Sequence, residues 1–174
     1  MEHLALCPRQ DVEGVRYKFL GILSKNREEW AISDIACLRS SVTIVPFYDS
    51  LGADAIAFIM NQTELEALCC EGKYIDLILG LKKSGKITHL KAVISFDEVT
   101  EEKRRAGQDA DVKIFHFNEV IDIGKQQGGA LELDAPTPET VYMFCYTSGT
   151  TGDPKGVMLS HKQFVSCIHL ADWF

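Results

Sequence analysis

Phe19-Leu20-Gly21-Ile22-Leu23, then Ser24-Lys25-Asn26, and further on Val42-Thr43-Ile44-Val45, form the stretch on which the fold turns. The first run is apolar throughout and too short for a helix, so it reads as a strand buried on both faces. Asn26 offers a helix cap, and Glu28 and Glu29 follow where negative charge suits a helix N-terminus. Ala31, Ile35 and Leu38 recur behind them at helical spacing. The second apolar run is another strand, which Pro46 is expected to stop. Strand, helix, strand over about 30 residues is the pattern of a parallel crossover unit.

The alternation continues outward. A helix is expected from about Gly52, with Ala55, Ile56, Ile59 and Met60 on one face. Glu66 to Cys70 reads as a short strand. Tyr74 to Lys83 reads as a helix that ends on Lys82 and Lys83 before Gly85. Ala92 to Phe96 and Val112 to Phe117 are further strands, the second leading into a helix capped by Asn118 that ends at Gly128-Gly129. Residues 97–111 are charged and lack an apolar period, which predicts an exposed charged loop or a short surface helix. Residues 128–139 hold Pro136 and Pro138 and read as a linker. Val141 to Tyr146 is a strand, Val157 to Leu159 a shorter one, and a helix starts near His161. The fold class that follows is α/β, a mostly parallel sheet with helices on both faces. Ligands of such sheets sit at the carboxyl ends of the strands.

Composition agrees with this class. Of 174 residues, 46% are hydrophobic and 25% charged, close to an average globular chain and unlike a disordered tail, a collagen or a coiled coil. The net charge of −7 disfavours general nucleic-acid binding, which depends on neutralising phosphates. The six cysteines show no CxxC pair and no zinc spacing, and no metal site is assigned. Cys37, Cys69, Cys70 and Cys145 lie in apolar runs and are expected to be buried, reduced thiols, as in a reducing compartment. Met1 to Gln10 lacks a signal-peptide pattern, and no apolar run reaches the ~18 residues of a membrane helix.

The stretch richest in chemistry is Tyr146-Thr147-Ser148-Gly149-Thr150-Thr151-Gly152-Asp153-Pro154-Lys155-Gly156, directly after a strand. Its four hydroxyls between Thr147 and Thr151 can donate to phosphate oxygens. Gly149, Gly152 and Gly156 let backbone N–H groups approach an anion closely. Lys155 adds a positive charge and Pro154 stiffens the turn before it. The order is not that of a Walker loop, because Pro154 falls where the second glycine belongs and Lys155 is followed by Gly156. The Gly-x-Gly-x-x-Gly dinucleotide pattern is also absent.

Thr147 to Gly156 instead resembles the phosphate-binding signature of the AMP-forming acyl-activating superfamily. Two further segments narrow the resemblance. Leu20 to Trp30 is similar to the V-G-I-x-S-x-N-R-x-E-W segment of eukaryotic long-chain fatty-acid CoA ligases. Pro46 to Gly52 is similar to their P-L-Y-D-T-L-G, with Phe47 in place of Leu and Ser50 in place of Thr. Asn61 to Glu64 also echoes that subfamily. The resemblance runs from about Gly14 to Phe174 and is weakest between Asp97 and Leu133.

This resemblance implies a long-chain fatty acid–CoA ligase, turning fatty acid, ATP and coenzyme A into acyl-CoA, AMP and pyrophosphate, with Mg²⁺ as cofactor. It implies that Thr147, Ser148, Gly149, Thr150, Thr151, Gly152 and Lys155 cradle the ATP phosphates, and it assigns no catalytic residue. The family's aromatic-Gly-x-Thr-Glu motif, ribose-binding Asp and catalytic Lys would lie beyond Phe174. The chain is therefore expected to be part of the N-terminal domain, with the rest of the ligase downstream, and to be inactive alone. Family habit places it on a cytosol-facing surface such as the endoplasmic reticulum. The alternative is a truncated, non-catalytic nucleotide-binding or interaction module, or a remnant without function.

Other residues invite roles but have plainer readings. His161 reads as a helix-start contact, His116 as a strand residue opposite Phe115 and Phe117, and Trp30 as core packing. Tyr48 and Asp49 suit a turn that fixes packing as well as they suit a ligand contact. Glu101 to Arg105 reads as a solvated face.

Overall fold

The computed structural model describes residues 7, 9–12, 15–127, 134–147 and 154–171. Among the described residues, eight strands and six helices follow one another as β1 (Arg9–Val12), β2 (Val15–Leu23), α1 (Glu28–Arg39), β3 (Thr43–Phe47), α2 (Ala53–Gln62), β4 (Ala67–Cys70), α3 (Ile75–Lys83), β5 (Ala92–Ser95), α4 (Glu101–Gln108), β6 (Lys113–His116), α5 (Phe117–Gln126), β7 (Val141–Thr147), β8 (Lys155–Ser160) and α6 (His161–Ala171). A 3₁₀ turn, Gly72–Tyr74, leads into α3.

The strands lie in the order β6-β5-β4-β2-β3-β7-β8, with β1 paired antiparallel to β2. The ladders from β6 to β7 are all parallel, and β7–β8 is antiparallel. The chain moves one way across the sheet through α1 and α5 and the other way through α2, α3 and α4. Right-handed crossovers then require the two helix sets on opposite faces. The core divides accordingly. Phe19, Leu23, Val45, Leu68, Cys70 and Val93 pack with Ile56, Ile59, Ile75 and Ile78. Leu20, Ile22, Ile44, Cys69 and Ile94 pack with Cys37 and Phe117, and with Trp30 and Leu38 of α1 and Val120 and Ile121 of α5. Each central strand thus alternates its side chains between two buried faces, which is why its sequence is apolar without a gap.

Gly21 marks the tightest packing in β2: a Cβ there would meet Leu65 Cδ2 at 2.6 Å and Leu68 Cδ1 at 2.7 Å. Only a residue without a side chain fits that crossing.

Several sequence expectations shift. Pro46 does not stop β3 but lies within it, paired with Ile22. The register to β7 lies two residues earlier, at Ile44↔Met143, so the missing N–H at Pro46 costs no pairing on the β7 side. The residue flanking α1 is Arg27 rather than Asn26, and no side chain caps that end. Likewise His116, not Asn118, flanks α5, where its backbone N–H donates to Glu119 Oε2 at 2.8 Å. In residues 97–111 the short-helix alternative holds over Glu101–Gln108, and the residues on either side carry neither helix nor strand. Thr100 accepts from Lys103 N–H at 3.3 Å, a local cap that needs no apolar period. Of residues 128–139, those from 128 to 133 lie outside the described residues, and Asp134–Glu139 carry no strand or helix.

The described cysteines are free thiols. Cys37, Cys69 and Cys70 are buried as expected, and burial pushes Cys70 up to about 12. Cys145 is only half-buried, because its strand lies toward the open edge of the sheet. No helix among the described residues is long and apolar enough to cross a membrane.

Candidate functional site: the β7–β8 hairpin

The hydroxyl-rich stretch connects the last two strands. Thr147 ends β7 and Lys155 opens β8, and the two face each other in the antiparallel register. Lys155 and Gly156, expected in the loop, belong to the strand. The connection is therefore shorter than the sequence suggested, because the ladder zips up to its base. Thr147 Oγ1 donates to Lys155 O at 3.4 Å across the mouth. Both residues are exposed. Ser148, Gly149, Thr150, Thr151 and Gly152 lie outside the described residues.

The base of the hairpin is anchored by Tyr146. Its ring is buried, and its hydroxyl donates to Gln62 Oε1 on α2 at 2.7 Å. Burial raises its pKa to about 12, so it stays a donor at every physiological pH. Gly156 lies over this ring: a Cβ at that position would come within 3.2 Å of Tyr146 Cζ. The glycine thus serves close packing beside the loop. One face of the sheet holds β7 through Phe144, which meets Tyr17 at 5.4 Å and Phe19 at 5.1 Å between ring centroids. On the other face Tyr142 donates to Asp34 Oδ1 on α1 at 2.6 Å and packs against Phe164 of α6 at 4.5 Å.

Because β7 runs parallel to β3, the hairpin mouth lies at the carboxyl edge of the parallel sheet, where such sheets bind ligands. The neighbouring carboxyl ends carry a polar network that the sequence did not reveal as one unit. Arg27 donates to Glu29 through Nε and Nη2, at 2.6 and 2.8 Å, and to Asp97 Oδ1 at 2.9 Å. Its Nη2 also reaches Phe96 O at 3.2 Å. The second oxygen of Asp97 accepts from Gly72 N–H at 2.7 Å, and Gly72 O accepts from Lys103 Nζ at 2.7 Å. Lys25 N–H donates to Glu71 Oε1 at 2.9 Å, and its ammonium lies 3.9 Å from Asp49. The hydrogen bonds of Arg27 hold Asp97 and Glu29 below the ordinary carboxylate range. These groups satisfy one another and join the ends of β2, β4 and β5. A signal was present in the S-x-N-R-x-E-W order, but Asp97 is too distant in sequence to be tied to it.

The remaining candidates take the plainer roles. Trp30 packs against the core. His161 stacks edge-on against Tyr142 at 5.7 Å, and burial lowers its pKa. Tyr48 Oη lies 3.5 Å from Cys145 Sγ, bridging the ends of β3 and β7. His116 Nε2 is 3.9 Å from exposed Glu98. Among the described residues no group of three or more His, Cys, Asp and Glu could hold a metal ion.

Known proteins resemble this chain in sequence and in fold. Residues 13–173 match the family model described as AMP-binding enzyme. Long-chain-fatty-acid–CoA ligase 5 of Rattus norvegicus is 35% identical over 166 residues, covering 94% of this chain and 23% of that protein. Fatty acyl-CoA synthetase A of Dictyostelium discoideum is 37% identical over 84% of this chain and 21% of its own length. The chain thus spans between a fifth and a quarter of the relatives it matches. Among solved structures, the anthranilate CoA ligase AuaEII in complex with anthranoyl-AMP superposes with a TM-score of 0.71 at 24% identity, covering 90% of this chain and 28% of that one. The A-PCP didomain of carboxylic acid reductase from Segniliparus rugosus, in complex with AMP, gives 0.69 at 21% identity, over 84% and 22%. These two likenesses bear on the fold, which matches the N-terminal part of adenylation domains. With a family model covering nearly all of it, the chain belongs to the AMP-binding enzyme family.

Proposed function

We propose that this chain is the ATP-phosphate-binding part of a long-chain fatty acid–CoA ligase. The observation that supports this reading most directly is the β7–β8 hairpin. Thr147 and Lys155, which bound a glycine- and hydroxyl-rich stretch of sequence, sit at the carboxyl edge of the sheet in a chain about 35% identical to such ligases. In the reaction, a fatty carboxylate oxygen attacks the α-phosphorus of ATP and pyrophosphate leaves. The thiolate of coenzyme A then attacks the acyl carbon and AMP leaves. Negative charge accumulates on the departing pyrophosphate, and preorganised donors stabilise it. Thr147 and Ser148, Thr150 and Thr151 would donate hydroxyl hydrogens, Gly149 and Gly152 would leave backbone N–H groups open, and Lys155 would supply the charge.

Mg²⁺ does not fit the described residues of the hairpin. Thr147 and Lys155 offer a hydroxyl and an ammonium and no carboxylate to hold it. The family resemblance also supports a cytosol-facing location, such as the endoplasmic reticulum surface.

The test is nucleotide-dependent stabilisation. ATP at 100 times its Kd should add about 2.7 kcal/mol, a rise in Tm of about 5–10 °C for a chain of this size. Lys155→Ala should remove most of that shift. ATP–pyrophosphate exchange by the chain alone should stay at background. The absence of any shift at millimolar ATP would overturn the nucleotide-binding role.

A further inference from the structure

β6 closes one end of the sheet, so one side of its backbone has no neighbouring strand among the described residues. Lys113 N–H donates to Lys91 O at 2.9 Å, on the β5 side. Backbone groups alternate along a parallel strand, so those of Ile114 and His116 point outward. A bare edge of this kind is a template for pairing with another chain. Here two side chains occupy it. Arg104 of α4 donates through Nη1 to Ile114 O at 2.9 Å, and Glu119 of α5 accepts from His116 N–H through Oε2 at 2.8 Å. The two side chains also bind each other, Arg104 Nη2 donating to Glu119 Oε1 at 2.6 Å. This clasp lines a groove of about 460 Å³ along β6, together with Val112, Ile114, Phe115 and Ile123. Gly107 sets its reach. A Cβ there would meet Ile114 Cγ1 at 2.7 Å, so α4 lies directly on β6, with Arg104 one turn earlier.

We propose that the Arg104–Glu119 clasp guards this edge against a second copy of the chain. The groups it occupies point to that partner. They are one acceptor, Ile114 O, and one donor, His116 N–H, on the same side of the strand. In a two-fold antiparallel pair of β6 strands centred on Phe115, Ile114 of each copy lies opposite His116 of the other. Each freed acceptor then meets a freed donor, twice per dimer, and the two Phe115 side chains form a cross-strand aromatic pair. With the clasp closed, both groups are satisfied within one chain. Pairing would first have to break the Arg104–Glu119 ion pair and its two backbone hydrogen bonds. The edge lies at the opposite end of the sheet from β7 and β8. The guard therefore requires no nucleotide and does not depend on the ligase reading.

Sedimentation equilibrium of the whole chain over a concentration series, without ATP, tests this. Arg104→Ala/Glu119→Ala removes the clasp and leaves the net charge at −7. This variant should self-associate at least about ten-fold more tightly than the wild type, as two modest hydrogen bonds would give. Its β6 amides should exchange more slowly as concentration rises. Adding His116→Pro deletes the outward donor at a φ of −80°, which proline accepts, and should return association to the wild-type level. Asp54→Ala/Lys86→Ala removes an ion pair away from this edge and should leave association unchanged. A folded double variant that associates no more than the wild type overturns the proposal. Association that His116→Pro leaves in place, or that Asp54→Ala/Lys86→Ala produces equally, overturns it too. Arg104→Ala alone frees Ile114 O and leaves His116 on Glu119, so it should associate more tightly than the wild type and less than the double variant. If the double variant does not fold, the absence of any gain in Arg104→Ala overturns the proposal by itself. ATP stabilisation is read separately, so either proposal can fail alone.

Discussion

The strands from β6 to β3 and the β7–β8 hairpin with α6 belong to one sheet but are built on different terms. In the first region every strand is parallel, both faces are covered, and residues such as Ile22, Leu23, Ile44, Leu68 and Val93 are fully buried. In the second the pairing turns antiparallel, and Val157, Met158, Val165 and Ile168 are each about half exposed or more. The candidate phosphate loop grows from the second region, yet its anchors, Gln62 through Tyr146 and Asp34 through Tyr142, come from helices of the first. The covered region thus supplies stability, and the open region supplies reach toward a ligand. Active regions are often the less buried parts of a fold for this reason.

The largest expected effect tests that contrast directly. Ile22→Ala removes a fully buried side chain from the central strand and should cost about 2–5 kcal/mol. Val165→Ala, at 60% exposure on α6, should change stability by less than ~0.5 kcal/mol. Urea unfolding of both variants measures the difference. Equal losses would show that α6 is as deeply integrated as the sheet and would break the contrast.

A middle-sized effect belongs to the network at the carboxyl ends. Arg27→Ala leaves Asp97 and Glu29 without their guanidinium and exposes Phe96 to a lost cation contact at 5.4 Å. Asp97 is about half exposed, so screening trims the loss to about 1–2 kcal/mol. The pH dependence has a definite sign. Asp97 has its pKa lowered from 3.8, mainly by the Arg27 hydrogen bond, so its stabilisation is fully present above that value. It fades as pH falls through the depressed folded pKa. The gap between wild type and Arg27→Ala, measured by unfolding from pH 7 to pH 2, should therefore narrow only at the acid end. A gap constant over that range would mean that packing, not charge, is what Arg27 contributes.

The parts of this fold that sequence made legible are those where one local pattern decides the outcome. Phe19 to Leu23 must be a strand because nothing else buries five such residues so briefly, and the order from Thr147 to Gly156 is specific by itself. Where two patterns compete, the local signal alone misleads. Pro46 breaks a strand unless its neighbour leaves the N–H unclaimed, which depends on the register to β7. Asn26 and Asn118 look like caps, but the chain turns one residue after the first and two before the second. Residues 97–111 lacked an apolar face because α4 is held by Thr100, by Arg104 donating to Ile114 O, and by Gly107 pressed on Ile114. The Arg27–Asp97 contact spans seventy residues, and no local pattern carries it.

The smallest expected effect sharpens the link between the two regions. Tyr146→Phe deletes the hydroxyl that donates to Gln62 and keeps the ring that packs beneath Gly156. Gln62 is exposed and can turn to water, so the loss should fall at the low end of the ~0.5–1.5 kcal/mol for one hydrogen bond. In a chain of this length that lowers Tm by about 1–3 °C. If the hairpin takes its stability from α2 through this bond, the ATP-induced shift should also shrink in Tyr146→Phe while Ile22→Val, a core change of similar size, leaves it intact. An ATP shift that is unchanged in Tyr146→Phe would locate the support of the loop in the ring and the β7–β8 ladder alone, because these are what the variant preserves.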